Sequence, residues 1–330
     1  MRILVTGGAG FIGSHFARRR AAAGDDVVVF DKLTYAGNLA NLHGVAHDFR
    51  GGDIVDTAGV AAAARGCDAI VNFAAETHVD RSISDGADFL RTNIIGVNTL
   101  LEEARASEVR LVHVSTDEVY GDLPPGRSSS EDDPLHPSSP YSAAKAGGDL
   151  LVLSYVRTHG VDALVTRGSN TYGPNQYPEK LLSLFITNAL DGERLPLYGD
   201  GRQVRDWLYV EDHCAGIDVA LREGAAGEIY NIGGGEEVEN REITRRVLEL
   251  TGTDESLIRS VDDRPGHDRR YSLESAKLDS LGWKKQWSLA EGLPATVEWY
   301  RENRHWWEVI KHSDSFRAYY ERQYASLLAD

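Results

Sequence analysis

MRILVTGGAGFIG, residues 1–13, runs from a β-branched stretch straight into glycines at 7, 10 and 13. Arg2–Thr6 reads as a strand buried on both faces, because its apolar residues are neighbours and do not alternate. Gly7, Gly10 and Gly13 then allow a tight turn, a close approach of backbone to an anion, and close packing of a helix on the strand. A helix over Ile12–Ala23 would aim its free N–H groups and partial positive charge at a pyrophosphate. The glycine spacing alone is a weak signal; set between strand and helix it becomes a dinucleotide fingerprint.

Outward from that turn, Val27–Asp31 reads as the second strand, and Asp31 stands 18 residues beyond Gly13. An acid there accepts hydrogen bonds from the adenosine ribose hydroxyls. It would repel a 2′-phosphate by roughly 4 kcal/mol at contact in an effective dielectric of about 20. NAD is therefore favoured over NADP, although Lys32 next door weakens the preference. Further strands are read at Asp48–Gly51, Asp68–Phe73, Arg110–Thr116 and Asp162–Arg167, with helices at Asn93–Ala106 and Tyr141–Thr158. The alternation predicts an α/β fold, a Rossmann-type doubly wound parallel sheet. After about Ser169 the texture turns to Tyr, Pro, Gly and Arg in loop-like stretches. The division expected is 1–168 for the NAD-binding domain, rejoined by about 204–233 through a strand at Glu228–Gly233. A smaller mixed α/β C-terminal substrate-binding domain spans 169–330. The polar loop Gly121–Pro140 reads either as a cover over a site or as a plain surface connection.

Composition narrows the function. The formal net charge is -16, from 51 acidic and 35 basic residues, which disfavours a nucleic-acid partner. Two cysteines, Cys67 and Cys214, give neither a disulfide framework nor metal-ligand spacing, so no metal is expected. No apolar run reaches the length of a membrane span and no signal peptide is read, so a cytoplasmic location is expected.

Tyr141 and Lys145, four apart in PYSAAK, share one face of a helix. A phenol in that position is a candidate base for a hydroxyl proton. Phenolate costs roughly 4 kcal/mol at pH 7, and a neighbouring ammonium lowers that cost. Ser115-Thr116-Asp117-Glu118-Val119-Tyr120-Gly121 leaves the carboxyl end of a buried strand, where doubly wound sheets bind ligands. Two adjacent acids there are costly unless used.

TGGAGFIG, DKLTYAGN, FAAETHVDRSI, STDEVYG, PYSAAK, SNTYGP, PEKL, YGDGRQVRDWLYVEDH, YNIGGG and DRPGHDRRYS together resemble the dTDP-glucose 4,6-dehydratases. These lie within the extended short-chain dehydrogenase/reductase group. The resemblance runs from residue 1 to about 305, and STDEVYG, AAETHVDRS and DRPGHDRR are its specific parts. It implies C4 oxidation, loss of water across C5 and C6, and hydride return to C6, with NAD as cofactor and a dTDP-hexose as substrate. Tyr141 would take the 4-hydroxyl proton with Thr116 and Lys145 assisting, Glu118 would take the C5 proton, and Asp117 would protonate the departing 6-oxygen. Phe11, Ile12, Lys32, Leu33, Thr34, Asp53, Ile54, Ala74, Ala75, Thr77 and Thr92 would join the glycines and Asp31 around the cofactor. Thr77, Thr116, Asn170, Glu179, Lys180, Leu181, Pro196, Tyr198, Arg205, Asn240, Arg264 and His267 would hold the nucleotide sugar. Arg205 and Arg264 also make sense on their own as diphosphate partners, by guanidinium geometry.

Two departures stand out: Asn170-Thr171 where relatives carry Asn-Asn, and Phe316 near the place of a nucleotide-contacting Tyr. Relatives pair through helices matching Asn93–Ala106 and Tyr141–Thr158, so a homodimer is expected. A nucleotide-sugar 4-epimerase, a dehydratase acting on another nucleoside-diphosphate hexose, and a non-catalytic NAD-binding regulator are the alternatives.

Overall fold

The computed structural model describes residues 1–324, so 325–330 of the expected C-terminal domain lie outside the described residues. In chain order the strands are β1 (Arg2–Thr6), β2 (Asp26–Asp31), β3 (Asp48–Gly51), β4 (Ala69–Asn72), β5 (Arg110–Thr116), β6 (Ala163–Gly168), β7 (Asn170–Tyr172), β8 (Leu195–Tyr198), β9 (Val204–Tyr209), β10 (Ile229–Ile232), β11 (Glu237–Glu239) and β12 (Ile258–Val261). The main sheet has the order β10-β6-β5-β4-β1-β2-β3, and every pair in it is parallel. The order reverses between β1 and β4, which opens a crevice at the carboxyl ends of the strands.

The continuous apolar runs have a direct cause. Along β1, Ile3 and Val5 enter one core with Phe16 and Ala17 of helix α1 (Phe11–Ala22), while Leu4 enters the opposite core with Leu100 and Leu101 of helix α2 (Val97–Ser107). Burying each such side chain contributes about 1.5–3 kcal/mol. A wider π-type turn, Arg91–Gly96, leads into α2, so the helix read from Asn93 begins irregularly. Helix α3 (Pro140–His159) starts from a capping box between Ser139 and Ser142 with Pro140 in its first turn, and stops at Gly160 in the left-handed region.

The segment 204–233 returns to the main sheet only in its later part. β9 lies between β7 and β11 in a separate three-stranded sheet, while helix α4 (Val210–Glu223) shares a core with α1 and β10 joins β6. Tyr172, Phe185, Ile243, Tyr300 and Trp307 build a second core on this side of the crevice. Residues 121–140 form a pinned connection. Leu123 and Ser129 donate to the carbonyls of Arg270 and Ser272, and Asp122 Oδ1 accepts the N–H groups of Arg269 and Arg270. These bonds tie the connection to residues 269–272.

Candidate active site

One cleft of about 410 Å³ follows the carboxyl ends of β1, β2, β4, β5 and β6 and continues between the two cores. At its first end Gly7 has φ +66°, and a Cβ there would lie 2.5 Å from the Ala74 backbone nitrogen. A Cβ on Gly13 would lie 2.4 Å from the Gly7 carbonyl oxygen. No side chain caps α1, so the N–H groups of its first turn face the cleft unclaimed. Asp31 is buried, and its carboxylate accepts from the N–H groups of Ala9 (3.0 Å) and Leu33 (2.8 Å). Burial nevertheless pushes its pKa up, so further donors would stabilise its charge. A cradle that only glycine permits, a bare helix terminus and an acid on the next strand fit a dinucleotide.

Phe11, Ile12, Gly10, Lys32, Thr34, Asp53, Ile54, Ala74, Ala75, Thr77 and Thr92 line this half as expected. Leu33 does not. Its φ of 52° turns the N–H back onto Asp31 and leaves the side chain exposed, so it shapes the acid without facing the cleft.

The Tyr–Lys helix and the acidic turn meet at the middle of the cleft. Lys145 is buried and donates to the Val114 carbonyl at 2.8 Å; burial pulls its pKa down to about 8, against the charge of Asp149. Tyr141 is pushed up by burial and by the charge of Glu118, while a hydrogen bond with Thr116 opposes the rise. β5 ends at Thr116, whose hydroxyl accepts from the Glu118 N–H (3.3 Å) and caps a single 3-10 turn, Asp117–Tyr120. That turn answers how adjacent acids can serve one ligand: the chain leaves extended geometry at once. Asp117 is 3% exposed, and its Oδ2 is buried with no hydrogen-bond partner among the described residues. Burial, then Glu118 and Asp206, push it well above the carboxylate range. Glu118 is also raised by burial, but Arg264, Lys180 and Arg205 pull it back. Both acids are thus raised by burial, but Asp117 also faces two anions, while Glu118 faces three cations.

The far half carries the expected polar residues. Arg264 donates to Asp80 (2.9 Å), which also accepts from Tyr198 (3.0 Å). Arg205 is buried, bonded to the carbonyls of Val204 and Asp268, with its guanidinium over the Tyr271 ring at 4.4 Å. Among the described residues no carboxylate ion-pairs with it, so it is no surface ion pair and its charge remains available. Lys180 donates to the Thr77 carbonyl (2.7 Å), and Glu179 accepts from Tyr35 and Arg81. Asn170 Oδ1 and Asn240 Oδ1 are buried and unpartnered among the described residues. His267 and His78 are each lowered to about 4 by burial, hence neutral. Leu181, Pro196 and Tyr198 complete the wall.

The chain matches the model of the NAD dependent epimerase/dehydratase family over residues 3–233. It belongs to that family. A curated relative, the dTDP-glucose 4,6-dehydratase of Streptomyces niveus, is 52% identical over 326 residues, covering 95% of this chain and 97% of the relative. The crystal structure of DesIV, a dTDP-glucose 4,6-dehydratase from Streptomyces venezuelae with NAD and TYD bound, superposes with a TM-score of 0.92 at 55% identity, covering 94% of this chain and 100% of that one. The NAD complex of Thermus thermophilus UDP-glucose 4-epimerase gives a TM-score of 0.87 at 34% identity, covering 92% of this chain and 100% of that one. This family member is thus more similar to the dehydratase than to the epimerase.

Several lining residues escape a reading of the sequence: Trp207, Tyr271, His213 and Tyr324. Trp207 has a readable signal, since it stands two beyond Arg205 on a strand and so shares its face. Tyr324, and not Phe316, is the C-terminal aromatic on the cleft; Phe316 is buried in the second core. Thr171, at the departure from Asn-Asn, bonds His213 Nδ1 at 2.7 Å.

Proposed function

We propose that this chain is an NAD-dependent dTDP-glucose 4,6-dehydratase, converting dTDP-glucose to dTDP-4-keto-6-deoxyglucose with loss of water. The observation that carries this reading is the Asp117–Glu118 pair, Asp117 buried and Glu118 half-buried, unlike in its electrostatics and in the same cleft as Tyr141 and Lys145. An epimerase has no use for a second acid–base pair, because it removes no atom from the sugar.

Bound along Gly7, Gly10, Gly13 and Asp31, NAD⁺ would supply a hydride acceptor for C4 and a positive charge beside Tyr141. Tyr141 takes the 4-hydroxyl proton; Lys145 compensates the phenolate and Thr116 hydrogen-bonds the same oxygen. A carbonyl at C4 acidifies the C5 proton, which Glu118 removes. Asp117, whose charged form burial disfavours, delivers a proton from Oδ2 to the leaving 6-oxygen; the hydride taken from C4 would then return to C6 and a proton to C5, giving the 4-keto-6-deoxy sugar and leaving the cofactor oxidised. Arg205, Arg264 and Lys180 hold the diphosphate, with Asn170, Asn240, Tyr198 and His267 around the sugar and base. We assign residues 1–168, rejoined by α4 and β10, to the cofactor and the rest of 169–330 to the nucleotide sugar. A homodimer through α2 and α3 and a cytoplasmic site of action belong to the same reading. The exposed apolar side chains Leu90, Ile95 and Leu150 support the first, and the free thiols Cys67 and Cys214 are compatible with the second.

The deciding experiment incubates the purified protein with dTDP-glucose and NAD⁺ and weighs the product. A product lighter by one water supports the dehydratase. An isomer of unchanged mass would establish the epimerase instead. A panel of other nucleoside-diphosphate hexoses tests the preference for dTDP.

A further inference from the structure

Beneath the catalytic lysine lies a charge cluster that the proposed chemistry does not use. Asp149 follows Lys145 by one turn of α3 and is 0% exposed. Arg167 of β6, 1% exposed, donates from Nε to Asp149 Oδ2 at 2.9 Å. His113 of β5, also 0% exposed, places Nε2 at 3.7 Å from Asp149 Oδ1. Its tautomer follows from its neighbours. Asn72 Oδ1 accepts from the Thr6 hydroxyl (2.6 Å) and from the Ala74 N–H (3.1 Å), so Asn72 Nδ2 must face His113 Nδ1 (3.0 Å) and donate to it. The imidazole proton then sits on Nε2, which lies beyond hydrogen-bond distance of Asp149 Oδ1.

The other side of the cluster reaches the acidic turn. The Arg167 guanidinium stands over the Tyr120 ring at 4.7 Å, and Tyr120 donates to Asn231 Oδ1 at 2.8 Å. Tyr120 closes the turn that begins with Asp117 and Glu118. One buried ion pair therefore links the Tyr–Lys helix, through Asp149, to Tyr120 at the end of the acidic turn, through Arg167.

We infer that Asp149 and Arg167 are positioning residues for this reaction: Asp149 supplies the counter-charge that keeps Lys145 an ammonium, and Arg167 clamps Tyr120 and so orients Asp117 and Glu118. The groups facing Lys145 are consistent with this role. Tyr141 lies one turn before it, Asp149 one turn after, and β5 presents the Val114 carbonyl, neutral His113 and, beyond them, the acidic turn. Arg167 stands behind Asp149. Asp149 is the carboxylate nearest along the helix, and a carbonyl dipole alone would be a weak partner for a buried ammonium.

The inference deepens the dehydratase reading, so its test begins without substrate. Nitrogen-labelled lysine NMR on the full chain follows the Lys145 ammonium through its titration, near about 8 in the unaltered protein. In Asp149→Asn the midpoint falls by roughly one unit or more; in Arg167→Met it holds or rises. No fall in the first variant, or a fall in the second, overturns the assignment. Asp149→Asn strands the Arg167 charge and can compromise folding, so Asp149→Asn/Arg167→Met removes the pair together and is also expected to lower the midpoint. For the clamp, amide exchange at residues 117–120 accelerates roughly tenfold in Arg167→Met relative to the sheet, reflecting local opening; unchanged exchange there removes Arg167 from the role. With dTDP-glucose, the alkaline limb of the pH–rate profile moves down with the Lys145 midpoint. If the unaltered protein fails to dehydrate dTDP-glucose while the NMR shifts appear, the proposed reaction falls and the coupling stands. Turnover with unmoved NMR midpoints overturns the coupling and leaves the dehydratase reading in place.

Discussion

Asp117 and Glu118 are chemically close to equivalent, and in the proposed reaction their surroundings divide the labour. Burial and the charges of Glu118 and Asp206 outweigh Arg205 at Asp117, so its folded-state pKa is raised above the ordinary 3.8. Its neutral form stabilises the fold fully below that ordinary value, and the contribution is lost as pH rises through the raised value. Asp117→Asn cannot ionise, so its stability relative to the parent should grow with pH while turnover drops roughly 10²–10⁴-fold. Denaturant melts at several pH values check the first part and product mass the second. Glu118 must be ionised to act, and three cations oppose its desolvation. A bound diphosphate would engage those same cations, so the Glu118 pKa should be higher in the complex than in the free protein. The acid limb of kcat is therefore expected at higher pH than that of kcat/KM; coincident limbs would argue that Arg205, Arg264 and Lys180 do not meet the phosphates.

Element ends set the precision of the site. Tyr141 belongs to the first turn of α3, where the Ser139–Ser142 capping box fixes the helix start and Ser82 Oγ accepts the Tyr141 N–H at 3.2 Å. Ser139→Ala should cost about 1 kcal/mol of stability, read as a lower denaturation midpoint at unchanged slope. Gly7 is the stricter element end. Ala there meets both a positive φ and the Ala74 backbone, so Gly7→Ala should weaken NAD binding at least roughly tenfold, a cost of about 1.4 kcal/mol or more. Calorimetric titration with NAD⁺ measures it, and unchanged affinity would show that the cradle can relax.

Across the whole molecule, the main sheet supplies a rigid floor and the second core a wall, with α5 (Asp314–Gln323) closing the far side. Tyr319 of α5 bonds His78 (3.2 Å), and Gln323 donates to Tyr198 (2.7 Å), so the C-terminal helix ties the substrate half of the cleft back to the sheet loops. On the outside, Ile95 is 56% and Leu150 58% exposed, an apolar face open to a second chain. If α2 and α3 form the proposed homodimer, Leu150→Glu should shift the protein to monomer in sedimentation velocity. An unchanged sedimentation coefficient would place any self-association elsewhere.

Strand positions, the glycine turn, Asp31 and the Tyr141–Lys145 spacing were legible in the residues, because local periodicity and φ requirements act within a few positions of the chain. Most of the expected cleft residues were also readable, through resemblance. That Leu33 falls outside the cleft lining was not legible, because it follows from one left-handed backbone angle, nor was the separate sheet of β9, because a strand's sheet depends on its partners. The same limit explains Asp149, Arg167, Trp207 and Tyr324. Their roles arise where β5, β6, α3 and the C-terminal segment converge. Desolvation and Coulomb energy are set by neighbours in space, so the unlike electrostatic surroundings of two adjacent carboxyls, on which the proposed division into acid and base rests, came only from the tertiary structure.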